Sequence, residues 1–227
     1  MKKIIFGILL ISFTSSFGQN GMILTSRDFA DGSTFSGLIS SKNSGRSLNY
    51  DEIIGSPYAN VNFSLAKIAE NYEKIPVRYN SYADQIEFQK DGAVMVLPKE
   101  STFGRIEIIS PKQSLVLLDT KDELDGYFYE IIKGNNASLY KKVQTKFIDT
   151  IPASNTYSSD KPATFKTQDP VYYIKTENGF IKRPKNVKEL IEQYPNKKDA
   201  LSSFLKEKKL KLQKEEDLKK IVSFLNE

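Results

Sequence analysis

Residues 75–148 constrain the fold more than any other stretch, because short apolar-polar alternations recur there between turn residues and no long helical period interrupts them. Ile86 and Phe88 alternate with Gln85, Glu87 and Gln89, the period of a half-buried strand. Asp91-Gly92 follows, and both residue types tolerate the positive φ that a two-residue hairpin needs, so residues 94–97 are expected to return antiparallel. Residues 76–80 read as the strand before it, and residues 105–109 and 115–118 as two more. Residues 127–132 are aromatic and β-branched, which favours a pleated strand. Gly134-Asn135-Asn136 then turns the chain into one further alternating segment, residues 138–148. Short strands with regular turns are the signature of a meander. The expected fold class is mainly β (α+β overall): an antiparallel meander sheet, curved or partly closed, with a small C-terminal three-helix element.

On the N-terminal side, residues 21–50 read as a strand pair and a polar loop, with apolar 22–24 and 34–39 around the turn dipeptide Asp31-Gly32 and a loop at 40–47. Gly55-Ser56-Pro57-Tyr58 is a turn, and Phe63, Ala66, Lys67 and Glu70 have the spacing of a short helix. Residues 150–170 are polar and carry Pro152, Pro162 and Pro170, as a surface loop or linker would. Residues 171–176 and 180–181 form a hairpin around Glu177-Asn178-Gly179.

Beyond residue 182 the period changes. Asn186 followed by Glu189 resembles a capping box, and Leu190, Ile191 and Tyr194 give an apolar face that Pro195 stops. Asn196 and Asp199 open a second helix with Leu201, Phe204 and Leu205 inward. Leu218, Ile221, Val222 and Leu225 recur at the helical spacing of a third. Three short helices do not hold alone, so they are expected to pack on one another or on the sheet. The chain thus divides into residues 1–18, a β domain at 19–182 with the polar loop 151–170 inside it, and a basic helical element at 183–227.

The first segment has the form of a secretory signal peptide. Lys2 and Lys3 precede ten apolar residues, 4–13, and Ser16-Phe17-Gly18 supplies small residues for cleavage before Gln19. A span needs about 20 apolar residues, so an uncleaved anchor is the less favoured alternative. No cysteine follows that could carry a lipid, and no later stretch is apolar enough to span a bilayer. The expectation is export to the periplasm or to the cell surface and extracellular space, without anchorage through cysteine.

The chain has no histidine and no cysteine. That removes Ser-His-Asp and Cys-His nucleophiles, the usual zinc and copper ligands, and the usual haem and iron–sulfur attachments. No glycine-rich phosphate loop follows a strand. Three enzymatic routes survive. A carboxylate pair can hydrolyse glycosides, but sequence does not give its spacing in space. Ser138 and Lys141 match S-x-x-K in form, yet strand alternation puts them on opposite faces. Asp119, Asp122, Glu123, Asp125 and Gly126 crowd one turn that could hold calcium, with a plain acidic hairpin turn as the favoured reading. No residue is put forward as catalytic, cofactor-binding or metal-binding, and no cofactor is expected.

Tyr127, Tyr129, Tyr172 and Tyr173 could line a sugar or peptide groove. Alternation places Tyr127 and Tyr129 on one face and splits Tyr172 from Tyr173, and cross-strand packing is the favoured role. Residues 181–227 hold 13 Lys and Arg against 8 Asp and Glu, whereas residues 19–180 are slightly acidic. A solvated helical surface explains this, with affinity for an anionic lipid or glycan as the alternative. A nucleic-acid partner is not expected outside the cytoplasm.

Residues 55–60, 76–80 and 84–88, with the tail at 204–206 and 214–218, resemble a set of small exported proteins of Bacteroidetes-type bacteria. The resemblance implies an envelope location and no particular activity. The functional expectation is an exported, non-enzymatic binding or interaction module for an envelope protein, a glycan or an apolar ligand. The alternatives are a carboxylate-dependent glycan hydrolase and a binder of anionic polymer or lipid through the C-terminal helices.

Overall fold

The alternating segments pair edge to edge. In the computed structural model, which describes residues 37–227 except 156, 183, 185 and 186, they build an antiparallel sheet of ten strands. The expected signal peptide, the strand at 22–24, the Asp31-Gly32 turn and the Asn186 cap lie outside the described residues. The strands are β1 (Leu38–Ser40), β2 (Ser47–Asn49), β3 (Ser64–Lys67), β4 (Ile75–Asn80), β5 (Gln85–Lys90), β6 (Ala93–Val96) and β7 (Arg105–Ile108). They continue with β8 (Gln113–Leu118), β9 (Gly126–Ile132), β10 (Ser138–Lys142), β11 (Thr145–Ile148), β12 (Thr164–Thr167), β13 (Val171–Thr176) and β14 (Gly179–Lys182). The large sheet runs β14-β13-β10-β9-β8-β7-β3-β4-β5-β6 and does not close, while β1-β2 and β11-β12 form two small sheets. At the Asp91-Gly92 turn both residues have positive φ, 50° and 78°, and Lys90 pairs with Ala93, as a two-residue hairpin requires.

The sheet curls. Val77 and Tyr79 of β4, Ile86 and Phe88 of β5, Ile106 of β7, Leu115 of β8 and Tyr127 of β9 share one buried core with Phe103. The other half of the sheet is covered on both faces. Leu139, Ile174 and Ile181 pack beneath α1 (Val187–Gln193), α2 (Lys198–Glu207) and α3 (Glu215–Asn226), against Leu201, Leu218, Ile221, Val222 and Leu225. Tyr140, Val171 and Tyr173 point the opposite way and pack with Val116, Phe128 and Leu124. A fourth core joins the small sheets through Ile39, Leu48, Ile53, Ala163 and Phe165. Among the described residues no helix is long and apolar enough to cross a membrane.

Three expectations change. The segment around Phe63, Ala66, Lys67 and Glu70 is not a helix: β3 takes Ser64–Lys67, and Ala66 and Ile68 are buried at a spacing of two. The helical spacing there was coincidental, and pairing with β4 and β7 decides the outcome. Residues 138–148 are not one strand, because the chain breaks after Lys142 and β11 leaves the large sheet to pair with β12. Finally, residues 150–170 are not all loop. The register that pairs Thr145 with Thr167 continues through Ile148–Thr164 to a bridge between Ile151 and Lys161, so residues 161–167 of this polar stretch are the return arm of a long hairpin. Its polar composition hid the strand, because among its described residues only Ala163 and Phe165 face a core.

Candidate functional site

Side chains on β9 alternate, so Tyr127 and Tyr129 share a face while differing in depth. Tyr127 is fully buried, whereas Tyr129 reaches the floor of an open groove of about 700 Å³. The walls of this groove are the segment with Ser56, Tyr58, Asn60 and Val61, the turn with Pro111, Lys112 and Gln113, and Lys141, Thr167, Glu215 and Lys219. Tyr79 meets the Tyr129 ring edge-on at 6.0 Å between centroids, and burial pushes the Tyr129 phenol up to about 12.

Tyr58 is held by a charge network beneath it. The Arg78 guanidinium lies 3.7 Å from the centre of the Tyr58 ring and 4.4 Å from that of Phe63, and it donates to the Tyr58 hydroxyl at 2.6 Å. Stacking of this kind suits the planar guanidinium. Arg78 also donates to the buried carboxylate of Glu87 at 2.8 Å, and Asn80 Nδ2 donates to the other Glu87 oxygen at 2.8 Å. The buried charge is therefore paired and hydrogen-bonded, the condition under which burial is tolerated. One result is an aromatic wall with little freedom to move.

The charged rim is built differently. Glu215, the first residue of α3, accepts from Lys141 at 2.9 Å, from the Tyr172 hydroxyl at 2.9 Å and from Lys219 at 3.1 Å. Burial raises its carboxyl, but these three donors outweigh burial and hold its pKa below the ordinary value. Glu130 also borders the groove, and its carboxylate is taken by Arg105. Ring faces, amides at Asn60 and Gln113, hydroxyls at Ser56 and Thr167 and lysines at the rim suit a ligand rich in hydroxyl, amide or carboxylate groups. Glu215 is ionised in this setting, so it is not poised as the proton donor that glycoside cleavage requires.

The tyrosines expected from the sequence separate into two pairs. Tyr129 enters the groove and Tyr172 bonds the glutamate at its rim, while Tyr127 and Tyr173 pack in cores, Tyr173 edge-on to Phe128 at 5.1 Å. Sequence reading missed Tyr58, whose place depends on Arg78 twenty residues later, and the pairing of Lys141 with Glu215. Ser138 and Lys141 do not meet: the Ser138 hydroxyl donates to the Gly134 carbonyl, and Lys141 is engaged by Glu215.

In the acidic turn, Asp122 accepts from the Tyr173 hydroxyl at 2.7 Å, from Thr120 at 2.9 Å and from Lys182 at 3.1 Å. Burial there works to raise the Asp122 pKa, and the hydrogen bonds override it and bring it to about 2. Asp125 caps the Thr120 amide and hydroxyl, and Glu123 pairs with Lys182. These carboxylates organise their own loop. Among the described residues no three Asp or Glu side chains are grouped to hold a metal ion.

A last polar cluster centres on a buried lysine. Lys142 is buried, donates to Asp84 Oδ1 at 2.7 Å and to the Tyr127 carbonyl at 3.0 Å, and lies 4.8 Å from the Phe128 ring centre. Tyr79 and Lys99 donate to the same aspartate. Burial pushes the Lys142 pKa down, opposed by Asp84.

Much of the C-terminal charge is met locally. Lys219 pairs with Glu215 and Glu216, Lys220 with Asp217, Lys208 with Glu207 and Lys188 with Glu192. Compared with known proteins, the chain matches no family model, no curated protein and no solved structure.

Proposed function

We propose that this chain is an exported, non-enzymatic envelope protein that binds a glycan or peptide-like ligand in the groove between Tyr58 and Tyr129. The observation that carries this reading is the groove itself, where a rigid aromatic wall and floor meet amide, hydroxyl and lysine groups. Stacking on ring faces, with orientation fixed by a few polar groups, is how such a surface holds a polar ligand. Export is supported by the basic, apolar and small-residue order of residues 2–18. The pairing of Glu215 with Lys141, which keeps its carboxyl ionised, disfavours it as the proton donor of a hydrolase.

Native mass spectrometry of the protein purified from its own cell envelope tests the reading. A co-purifying mass that disappears in Tyr129→Ala is the expected result. A bare wild-type protein that also ignores envelope glycans and peptides in solution sinks it. Turnover of an envelope glycan abolished by Glu215→Gln would replace it with the hydrolase.

A further inference from the structure

The β11–β12 hairpin carries a second surface, separate from the groove. Its inner face holds Phe147 and Phe165 against the small core. On the outer face Lys146 stands directly opposite Lys166, and both are exposed. In the next row Ile148 is opposite Thr164, and Ile54 bridges to Thr164 from the other side. Like charges directly across a strand pair repel one another. Among the described residues neither lysine has an ion pair to relieve that repulsion. Two acids of the hairpin are occupied elsewhere: Asp149 by Ser41 and the amides of Lys42 and Asn43, and Asp160 by the amide of Ala153.

The apolar side chains of this face are as unprotected as its charges. Ile54 is 57% exposed and Ile148 41%. A single exposed isoleucine needs no explanation, but a group beside an unneutralised lysine pair does. We infer that this face docks on an anionic lipid bilayer, with Lys146 and Lys166 on lipid phosphates and Ile54 and Ile148 among the upper acyl chains. A soluble anion would satisfy the lysines and leave the isoleucines in water. A bilayer satisfies both. The inference does not depend on the groove or its ligand.

The absence of cysteine makes a local probe simple. Thr164→Cys in the full chain, carrying a polarity-sensitive fluorophore, reports on the hairpin face, and Ser203→Cys on exposed α2 serves as the control. Vesicles containing phosphatidylglycerol should shift the emission at position 164 and not at 203, and pure phosphatidylcholine should shift neither. Lys146→Gln with Lys166→Gln should weaken binding roughly thirtyfold, through loss of two phosphate contacts. The same pair of substitutions should not lower the thermal midpoint, because it removes a repulsion. The inference is overturned by no shift at 164, by a shift at 203 alone, by equal affinity for neutral vesicles, or by a response to heparin or an acidic peptide without one to vesicles.

Discussion

Lys142 Nζ lies 2.7 Å from Asp84 Oδ1, joining two residues that are 58 positions apart in the chain. Asp84 sits in the β4–β5 turn at a φ of 53°, and it also accepts from the Tyr127 amide at the head of β9. The pair ties β4–β5 to β9–β10, strands well separated in the sheet order, and so holds the curl of the sheet. Removing one member of a buried pair costs more than removing both, because the remaining charge loses its partner. Asp84→Asn should therefore destabilise the protein by about 3 kcal/mol in urea unfolding. Asp84→Asn with Lys142→Met should recover most of that loss, and a double variant no better than the single would refute the clasp.

Gly126 is required at the same junction. Its φ is 132°, and a Cβ there would fall on the Asp84 carboxylate and press on Lys142 Nζ. Gly126→Ala should cost at least about 2 kcal/mol, through backbone strain and displacement of the aspartate. Gly92→Ala makes a useful comparison, because that glycine has positive φ but open space around it. Calorimetry should find it the milder change.

Asn226 fastens the end of α3 to the β9–β10 turn. Its Oδ1 accepts from the amides of Asn136 and Ala137, and its Nδ2 donates to the carbonyls of Ala137 and Val222. Asn226→Ala should lose roughly 1–3 kcal/mol, since partly buried backbone groups are left without partners. Hydrogen exchange should show lower protection in residues 215–227, with the β4–β5 amides unchanged.

Stability should fall at both ends of the pH range. Burial holds the phenols of Tyr129 and Tyr194 up to about 12, and those of Tyr79 and Tyr127 above the ordinary value. An unfolded tyrosine ionises near about 10, so this stabilisation is complete below that pH and is lost as pH rises through the folded values. Tyrosinate absorbance should therefore appear together with unfolding. At the acid end Asp122 titrates at about 2 and Glu215 below its ordinary value, so their contribution is present above about pH 4 and is lost as pH falls toward 2. Asp122→Asn should flatten the acid limb, and an unchanged limb would mean that its bonds to Tyr173 and Lys182 carry little.

What the sequence determined on its own was local. Asp91-Gly92 specifies its hairpin because both residues accept positive φ, and the alternation of residues 85–89 puts Ile86 and Phe88 inward wherever the strand lies. The apolar spacing of Leu218, Ile221, Val222 and Leu225 likewise fixed which side of α3 would be buried. Tertiary structure decided everything that depends on which distant strand is the neighbour. Residues 64–67 became a strand because β4 and β7 offered hydrogen bonds on both sides, and residues 164–167 because β11 left the large sheet. The groove followed the same rule: Tyr129 and Tyr127 read alike along β9, and only the curl of the sheet buries one and opens the other. Neighbours along the chain set backbone angles and the alternation of faces, whereas depth and partnership depend on the whole sheet, which no short stretch of residues contains.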